Sequence, residues 1–415
     1  MHQIKINKFT LSNGLRVLHV EDKTTPMVAV NTLYDVGAKD EQPNKTGLAH
    51  LMEHLMFGGS INVPEFDTVM QNAGGENNAW TSNDETNFYD ILPANNIETA
   101  LYLESDRMKS LSFSPESLNV QRNVVCEEFK QRNLNRPYGD LAELIRGLTF
   151  EKHPYQWLTI GRELSQIEKM SLDDVMDFFF SHYAPNNAIL SIVGNITLEK
   201  TKILTEKWYG DISPRKVPIR HITPEPQQTK SRLLKVTRDV PNNVIYKAWH
   251  VPSIKTSDYY VTDVITDILA YGKSSRMPQN LIEKNHKFNQ LDAYVGSLTD
   301  EGLIYVKGTM EDGVTFEEAD LLIQKELDKL KESPIGEREM QKIRNCYEAD
   351  KLYPSSIETV ASDIAGFEML RDANDYLTQV ERHNAVTPEQ VNLMAQQLLN
   401  ENNCSTLYYS KRQQA

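Results

Sequence analysis

Residues 7–21 alternate around Asn13-Gly14, with Leu15, Val17 and His19 on one strand face and Arg16, Leu18 and Val20 on the other. Asn-Gly between alternating segments predicts an antiparallel hairpin. A strand at Met27–Tyr34 follows, and apolar residues at helical spacing predict helices over 47–57, 63–73, 96–110, 115–133, 163–169 and 171–183. The run from Asn186 to Gly194 reads as a buried strand. Further on, the pattern predicts a strand at 244–250, a helix at 257–271, a strand at 302–309, four helical stretches ending at 387–399, and a last strand at 404–410. This mixture is α+β, without regular βαβ alternation.

Residues 213–232 contain Pro214, Pro218, Pro224 and Pro226, lack apolar periodicity and cluster basic residues. They read as a semi-extended linker between domains at 1–212 and 233–415. The two flanks share a pattern. Ser171-x-x-x-Val175 leads to Asn186-Asn187 and a strand, and Thr387-x-x-x-Val391 leads to Asn402-Asn403 and a strand, an offset of 387 − 171 = 216. The apolar helix ending at Gly58 has a counterpart ending at Gly272, offset 272 − 58 = 214. Two similar halves are therefore expected, each a mostly antiparallel sheet flanked by helices.

Composition narrows the function classes. The 415 residues carry 44 Lys+Arg against 58 Asp+Glu, a net charge of 44 − 58 = −14. Such acidity disfavours a nucleic-acid partner, whose affinity comes largely from Lys and Arg on phosphates, and disfavours an anionic membrane surface. Cys126, Cys346 and Cys404 are odd in number and scattered, so neither a disulfide framework nor a Cys-rich metal knuckle is expected. A reducing, cytoplasmic setting fits, or a periplasmic one where a signal peptide has been removed.

The chemistry concentrates in Thr46-Gly47-Leu48-Ala49-His50-Leu51-Met52-Glu53-His54-Leu55-Met56-Phe57-Gly58-Gly59, with Thr46 as candidate N-cap and Gly58-Gly59 as the stop. On a helical wheel Glu53 falls about 60° to one side of His50 and His54 about 40° to the other, while the leucines and methionines fill the rest. Imidazoles at i and i+4 can reach one Zn²⁺, and the carboxylate between them is placed to take a proton from water that the metal activates. With 10 His in 415 residues, H-x-x-E-H arises by chance roughly 0.02 times, so the pattern is specific.

A catalytic zinc needs a third protein ligand. The candidates, Glu127 and Glu128, lie on a helix that starts at Ser114-Pro115. Glu128 falls on the side of Val124, Val125, Leu118 and Phe129, and Glu127 on that of Asn123 and Lys130. A buried carboxylate calls for a charge partner or a metal, which favours Glu128.

These residues resemble the inverzincin zinc metallopeptidases of the pitrilysin, insulin-degrading-enzyme and mitochondrial-processing-peptidase group. The resemblance covers nearly the whole chain. It rests on His50-x-x-Glu53-His54; Val124-Val125-Cys126-Glu127-Glu128, 128 − 54 = 74 residues on; Gly74 to Thr81; Glu104-Ser105-Asp106-Arg107-Met108; His153-Pro154-Tyr155; and Tyr183-Ala184-Pro185-Asn186-Asn187. It implies one zinc per chain on His50, His54 and Glu128, with Glu53 as general base. It also implies a clamshell of two α+β halves, and a substrate peptide adding as a strand beside Asn78-Ala79. Gln121 stands where relatives often have a second glutamate, and can supply a hydrogen bond to the metal site but no charge. The Arg and Tyr that the second half or a partner usually gives to substrate are missing from Leu281 to Phe288. Chains of this length in the family usually pair, as homodimers or as heterodimers with a non-catalytic relative.

With Gly272 on Gly58, Val264, Asp267 and Ile268 stand where His50, Glu53 and His54 do, so the second half has no such motif. The resulting expectation is a zinc endopeptidase for oligopeptides or unfolded segments, with neither nucleic acid nor membrane as partner. The alternatives are a peptide-binding or scaffold subunit that needs a partner for efficient cleavage, and a zinc hydrolase of small molecules. Acidity lining a chamber between the halves would favour basic peptides.

Overall fold

The computed structural model describes residues 4–352 and 356–412. Six strands form the first sheet: β1 (Asn7–Thr10), β2 (Arg16–Glu21), β3 (Met27–Tyr34), β4 (Glu76–Thr81), β5 (Thr86–Pro93) and β6 (Ala188–Gly194), in the order β1-β2-β6-β3-β5-β4. Five form the second: β7 (Arg232–Arg238), β8 (Val244–Val251), β9 (Phe288–Gly296), β10 (Gly302–Met310) and β11 (Cys404–Lys411), in the order β7-β11-β8-β10-β9. Setting β2, β6, β3, β5, β4 against β7, β11, β8, β10, β9 matches every neighbour and direction. The one parallel pair within each set is β2–β6 or β7–β11. The offsets are 404 − 188 = 216 for the buried strand and 232 − 16 = 216 for its parallel neighbour.

The repeat extends to side chains. Ser171 and Thr387 each cap a helix through a reciprocal box, with Asp174 and Gln390. Asn187 Nδ2 donates to Asp35 O at 3.1 Å and His182 O at 2.9 Å, and Asn403 Nδ2 donates to His250 O and Leu398 O, both at 2.9 Å. The same amide thus ties the end of a helix to the end of a strand in both halves. At the N-terminal hairpin Gly14 adopts φ 89, and Asn13 is held by the carbonyls of Tyr209 and Ile212.

The chain separates into two compact units: Met1–Gln131, Trp157–Ile222 and Pro354–Leu377 in one; Arg132–Gln156, Thr223–Tyr353 and Thr378–Ala415 in the other. These differ from two contiguous stretches at 1–212 and 233–415. The helix Leu141–Thr149 packs on the second sheet, with Leu141 and Ile145 against Tyr246, Leu407 and Tyr409. The helix Ile357–Leu370 packs on the first, with Val360, Ala361, Ile364 and Ala365 against Leu18, Leu33, Ile189 and Val193. Each sheet has a helical layer on its other face as well, so both faces of the central strands are buried. The exchanged helices themselves stand 357 − 141 = 216 apart.

The Pro-rich stretch has no regular structure, as its composition implies, but it is fastened along its length. Arg215 donates to the carbonyls of Tyr183, Met108 and Lys109, and Arg220 pairs with Asp35 and Asp40. Glu225 accepts the backbone N–H groups of Glu151, Lys152 and His153. Four strands lack a readable pattern in the sequence: β4 and β9 are sheet edges, β7 is a charged edge, and β5 buries Asn87 and Asp90. Asn87 fits the interior because it exchanges amide hydrogen bonds with Asn31 of β3, at 2.8 and 2.9 Å. Among the described residues no helix is long and apolar enough to cross a membrane.

Candidate active site

The motif helix runs from Leu48 to Leu55, with Leu48, Ala49, Leu51, Met52 and Leu55 packed in the core. Its N-cap is Gly47, not Thr46: Gly47 takes φ 90, a left-handed conformation that suits glycine. A Cβ there would also come within 3.0 Å of the Ile160 carbonyl. Thr46 turns away to Gln166, and the capping is done by a carboxylate six residues before Gly47. Buried Glu41 accepts the Gly47 N–H at 3.0 Å and the Ala49 N–H at 2.8 Å. Burial pushes the Glu41 carboxyl up to about 8 even though those N–H groups and Trp157 favour its charged form.

Past the helix, Asp106 clamps the chain by accepting hydrogen bonds from Ser60 Oγ (2.5 Å), Asn62 N (3.1 Å) and Asn62 Nδ2 (2.7 Å). Its neighbour Arg107 is buried against Glu104 and lies over the rings of Phe57, Phe66 and Phe88. The Glu104–Met108 segment therefore fixes the end of the motif helix.

The second helix, Pro115–Phe129, begins as its sequence implies, with Ser114 accepting the Ser117 N–H at 3.0 Å and proline in the first turn. Leu118, Val125 and Phe129 are buried, but Val120 and Val124 are exposed. Glu128 thus stands at the border of the apolar face, not at its centre. There it meets the histidines: its Oε2 lies 3.7 Å from His50 Nε2 and 3.4 Å from His54 Nε2. One donor atom from each residue falls within 4.8 Å of the others. Glu127 points outward, its side chain 74% exposed and paired with Lys130.

Glu53, between the histidines in sequence and on the same stripe, is half-buried, and its Oε2 accepts the Thr81 hydroxyl at 2.5 Å. Thr81 ends β4, the edge strand that also carries Asn78 and Ala79. The Ser82 N–H to Glu85 carbonyl bond closes the β4–β5 hairpin, so the alternation of an antiparallel pair turns the Ala79 amide outward. That N–H is covered by Asn78 Oδ1 at 2.8 Å. Gln121 is half-buried on the Pro115–Phe129 helix, and its amide lies beside Gly58. Glu41 belongs to no sequence motif, and Thr81 and Asp106 stand in the segments that carry the family resemblance without a role assigned to either. Thr81 shares the period-two register of Ala79, a signal usable only once β4 is known to be a strand.

The donor set suits zinc. Two imidazoles and a carboxylate on a tetrahedral ion, with bonds of about 2.0–2.2 Å, place donor atoms about 3.4 Å apart. The observed 3.4 and 3.7 Å require little movement.

A family described as "Insulinase (Peptidase family M16)" matches residues 16–157, and one described as "Peptidase M16 inactive domain" matches residues 169–347. The chain is 31% identical over 382 residues to the zinc protease PqqE of Helicobacter pylori, spanning 90% of this chain and 84% of that protein. It belongs to the M16 peptidase family. A second relative, named an uncharacterized zinc protease YmxG of Bacillus subtilis, is 24% identical over 95% of this chain and 96% of its own length. Among solved structures, a protease from Helicobacter pylori superposes with a TM-score of 0.93 at 28% identity, covering 98% of this chain and 100% of that one. A Pseudomonas fluorescens structure described as a peptidase M16 inactive domain superposes at 0.89 with 16% identity, over 99% and 98% of the chains, a likeness of fold. The two-sheet architecture is thus that of M16 proteins.

Proposed function

We propose that this M16 protein is a zinc-dependent endopeptidase that cleaves oligopeptides or unfolded polypeptide segments. The observation that carries the reading is the convergence of His50, His54 and Glu128 from two helices, with Glu53 on the histidines' stripe and held by Thr81. His50, His54 and Glu128 hold the ion, and Gln121 supports that shell from its own helix. Zinc so held would be the Lewis acid of the site, with the capacity to polarise a carbonyl and lower the pKa of a nearby water. Glu53 takes the proton from the attacking water and delivers it to the departing amine nitrogen. The outward edge of β4 at Asn78 and Ala79 receives the substrate as an added strand, in which main-chain hydrogen bonds orient the peptide with little demand on its side chains. For this to occur Asn78 Oδ1 gives up the Ala79 N–H.

The decisive experiment is Glu53→Gln assayed on a quenched peptide library, with zinc measured by elemental analysis. Retained zinc with turnover reduced about 10²- to 10⁴-fold is expected; wild-type cleavage by the variant would overturn the mechanism.

A second reading, a peptide-binding subunit completed by a partner, draws on the match to an M16 inactive domain over 169–347 and on the absent Arg and Tyr. One relative, 24% identical over 72% of this chain, is named a probable mitochondrial-processing peptidase subunit beta of Schizosaccharomyces pombe. Pairing, with a second copy or with a non-catalytic relative, belongs to this reading. Cleavage that appears only when a partner is added would select it.

A further inference from the structure

The helix Asp258–Ala270 follows β8 as the motif helix follows β3, and its Asp267 stands 267 − 53 = 214 residues after Glu53. No H-x-x-E-H occurs there, yet the structure gathers another ligating group. Asp263 and Asp267, one turn apart, and His383 from the helix Asp375–Asn384 each offer a donor atom within 4.8 Å of the others. All three belong to the second unit.

We infer that Asp263, Asp267 and His383 form a second divalent-cation site, taking a transition-metal ion such as Mn²⁺ or Zn²⁺ that accepts mixed carboxylate and imidazole ligands. His383 carries the argument beyond a pair of acidic groups. It is 1% exposed, and among the described residues neither of its ring nitrogens has a hydrogen-bond partner. Interior imidazoles ordinarily satisfy at least one nitrogen. Its plane is fixed by stacking on Tyr347, with centroids 3.7 Å apart and planes 4° from parallel, and this holds Nε2 3.9 Å from Asp267 Oδ2.

The carboxylates point the same way. Like charges at i and i+4 on a half-buried helix face repel, and both carboxylates lie within 4.8 Å of a His383 ring nitrogen. A bound dication neutralises both acids and uses the orphaned nitrogen. A shared ion holds its donors roughly 3.0–3.4 Å apart, and here every donor lies within 4.8 Å of the others, with His383 Nε2 at 3.9 Å from Asp267 Oδ2. Asp263 and Asp267 are only half-buried, which leaves the ion a route from solvent.

The inference does not depend on the reading of the His50 site, and the test separates them. Full-length protein is equilibrated with MnCl₂ or ZnCl₂, desalted, and assayed for metal by elemental analysis, with Mn²⁺ also followed by EPR. Wild type should retain two equivalents, His54→Ala one, and Asp267→Asn or His383→Ala one; the double variant His54→Ala/Asp267→Asn should retain none. The metal should raise the melting temperature of His54→Ala and not that of the double variant. Should Asp267→Asn fail to fold, Asp263→Asn replaces it. A single equivalent in wild type, lost in His54→Ala and untouched by changes at 263, 267 and 383, would overturn the second site.

Discussion

The Thr81 hydroxyl donates to Glu53 Oε2 at 2.5 Å, tying the carboxylate of the H-x-x-E-H helix to the end of the edge strand proposed to receive substrate. One hydrogen bond thus links the proposed proton-transferring group to the element proposed to position the peptide. Thr81→Val keeps the shape and removes the donor. It should lower kcat about 10-fold with zinc content unchanged, and Thr81→Ser should restore most of the loss. Unchanged kcat in Thr81→Val would separate the strand from the chemistry.

The adjacent glutamates should behave differently. Glu128 faces both histidines, whereas Glu127 is exposed and bonds Lys130. Glu127→Gln should leave zinc content and kcat/KM within about 2-fold of wild type, since exposed ion pairs contribute little. Glu128→Gln should lower zinc affinity by at least about 10-fold, read by competition with a chelating dye. Equal effects from the two changes would contradict the orientation of this helix.

Glu41 caps the motif helix from outside it. Glu41→Ala leaves the Gly47 and Ala49 N–H groups buried without their acceptor, which costs about 1–3 kcal/mol. A fall in melting temperature of about 2–8 °C is expected, read by thermal denaturation. Zinc affinity should fall with it, because the first turn of this helix sets the direction of His50. A melting temperature within 1 °C or so of wild type would show that water caps the helix equally well.

Glu85, in the turn between β4 and β5, has its carboxyl raised from 4.5 to about 7 by burial and by Asp84, against a hydrogen bond with Trp80. The folded state therefore holds this proton more tightly than the unfolded chain. Its contribution is greatest below pH 4.5 and is lost as pH rises to about 7. The loss is at most about 3 kcal/mol, and less because Glu85 is half-buried. Glu85→Gln should flatten the pH dependence of stability over that window, measured by urea unfolding at several pH values. An unchanged slope would place the titration elsewhere.

Much of the site is legible in the sequence because it is local. His50, Glu53 and His54 share a stripe through helical spacing alone, and the Ser114-Pro115 start sets the phase of the helix that carries Glu128. The repeat is legible for the same reason: caps, asparagine turns and a buried strand recur near an offset of 216, and the two sheets have the same strand order. β4 and β5 are not legible, since an edge strand is half solvated and β5 hides Asn87 behind a cross-strand amide pair.

The sequence alone determined the spacing of the chemistry along each helix and the duplication of the fold, because both follow from periodicities of the chain itself. Only the tertiary structure decided what comes together from far apart. It brought Glu128 to His50 and His54 and Thr81 to Glu53, and placed the helix Ile357–Leu370 on the first sheet and Leu141–Thr149 on the second. It also set His383 beside Asp263 and Asp267. The physical reason is burial: apolar faces decide which elements pack, and the polar groups carried with them meet partners that no local pattern specifies.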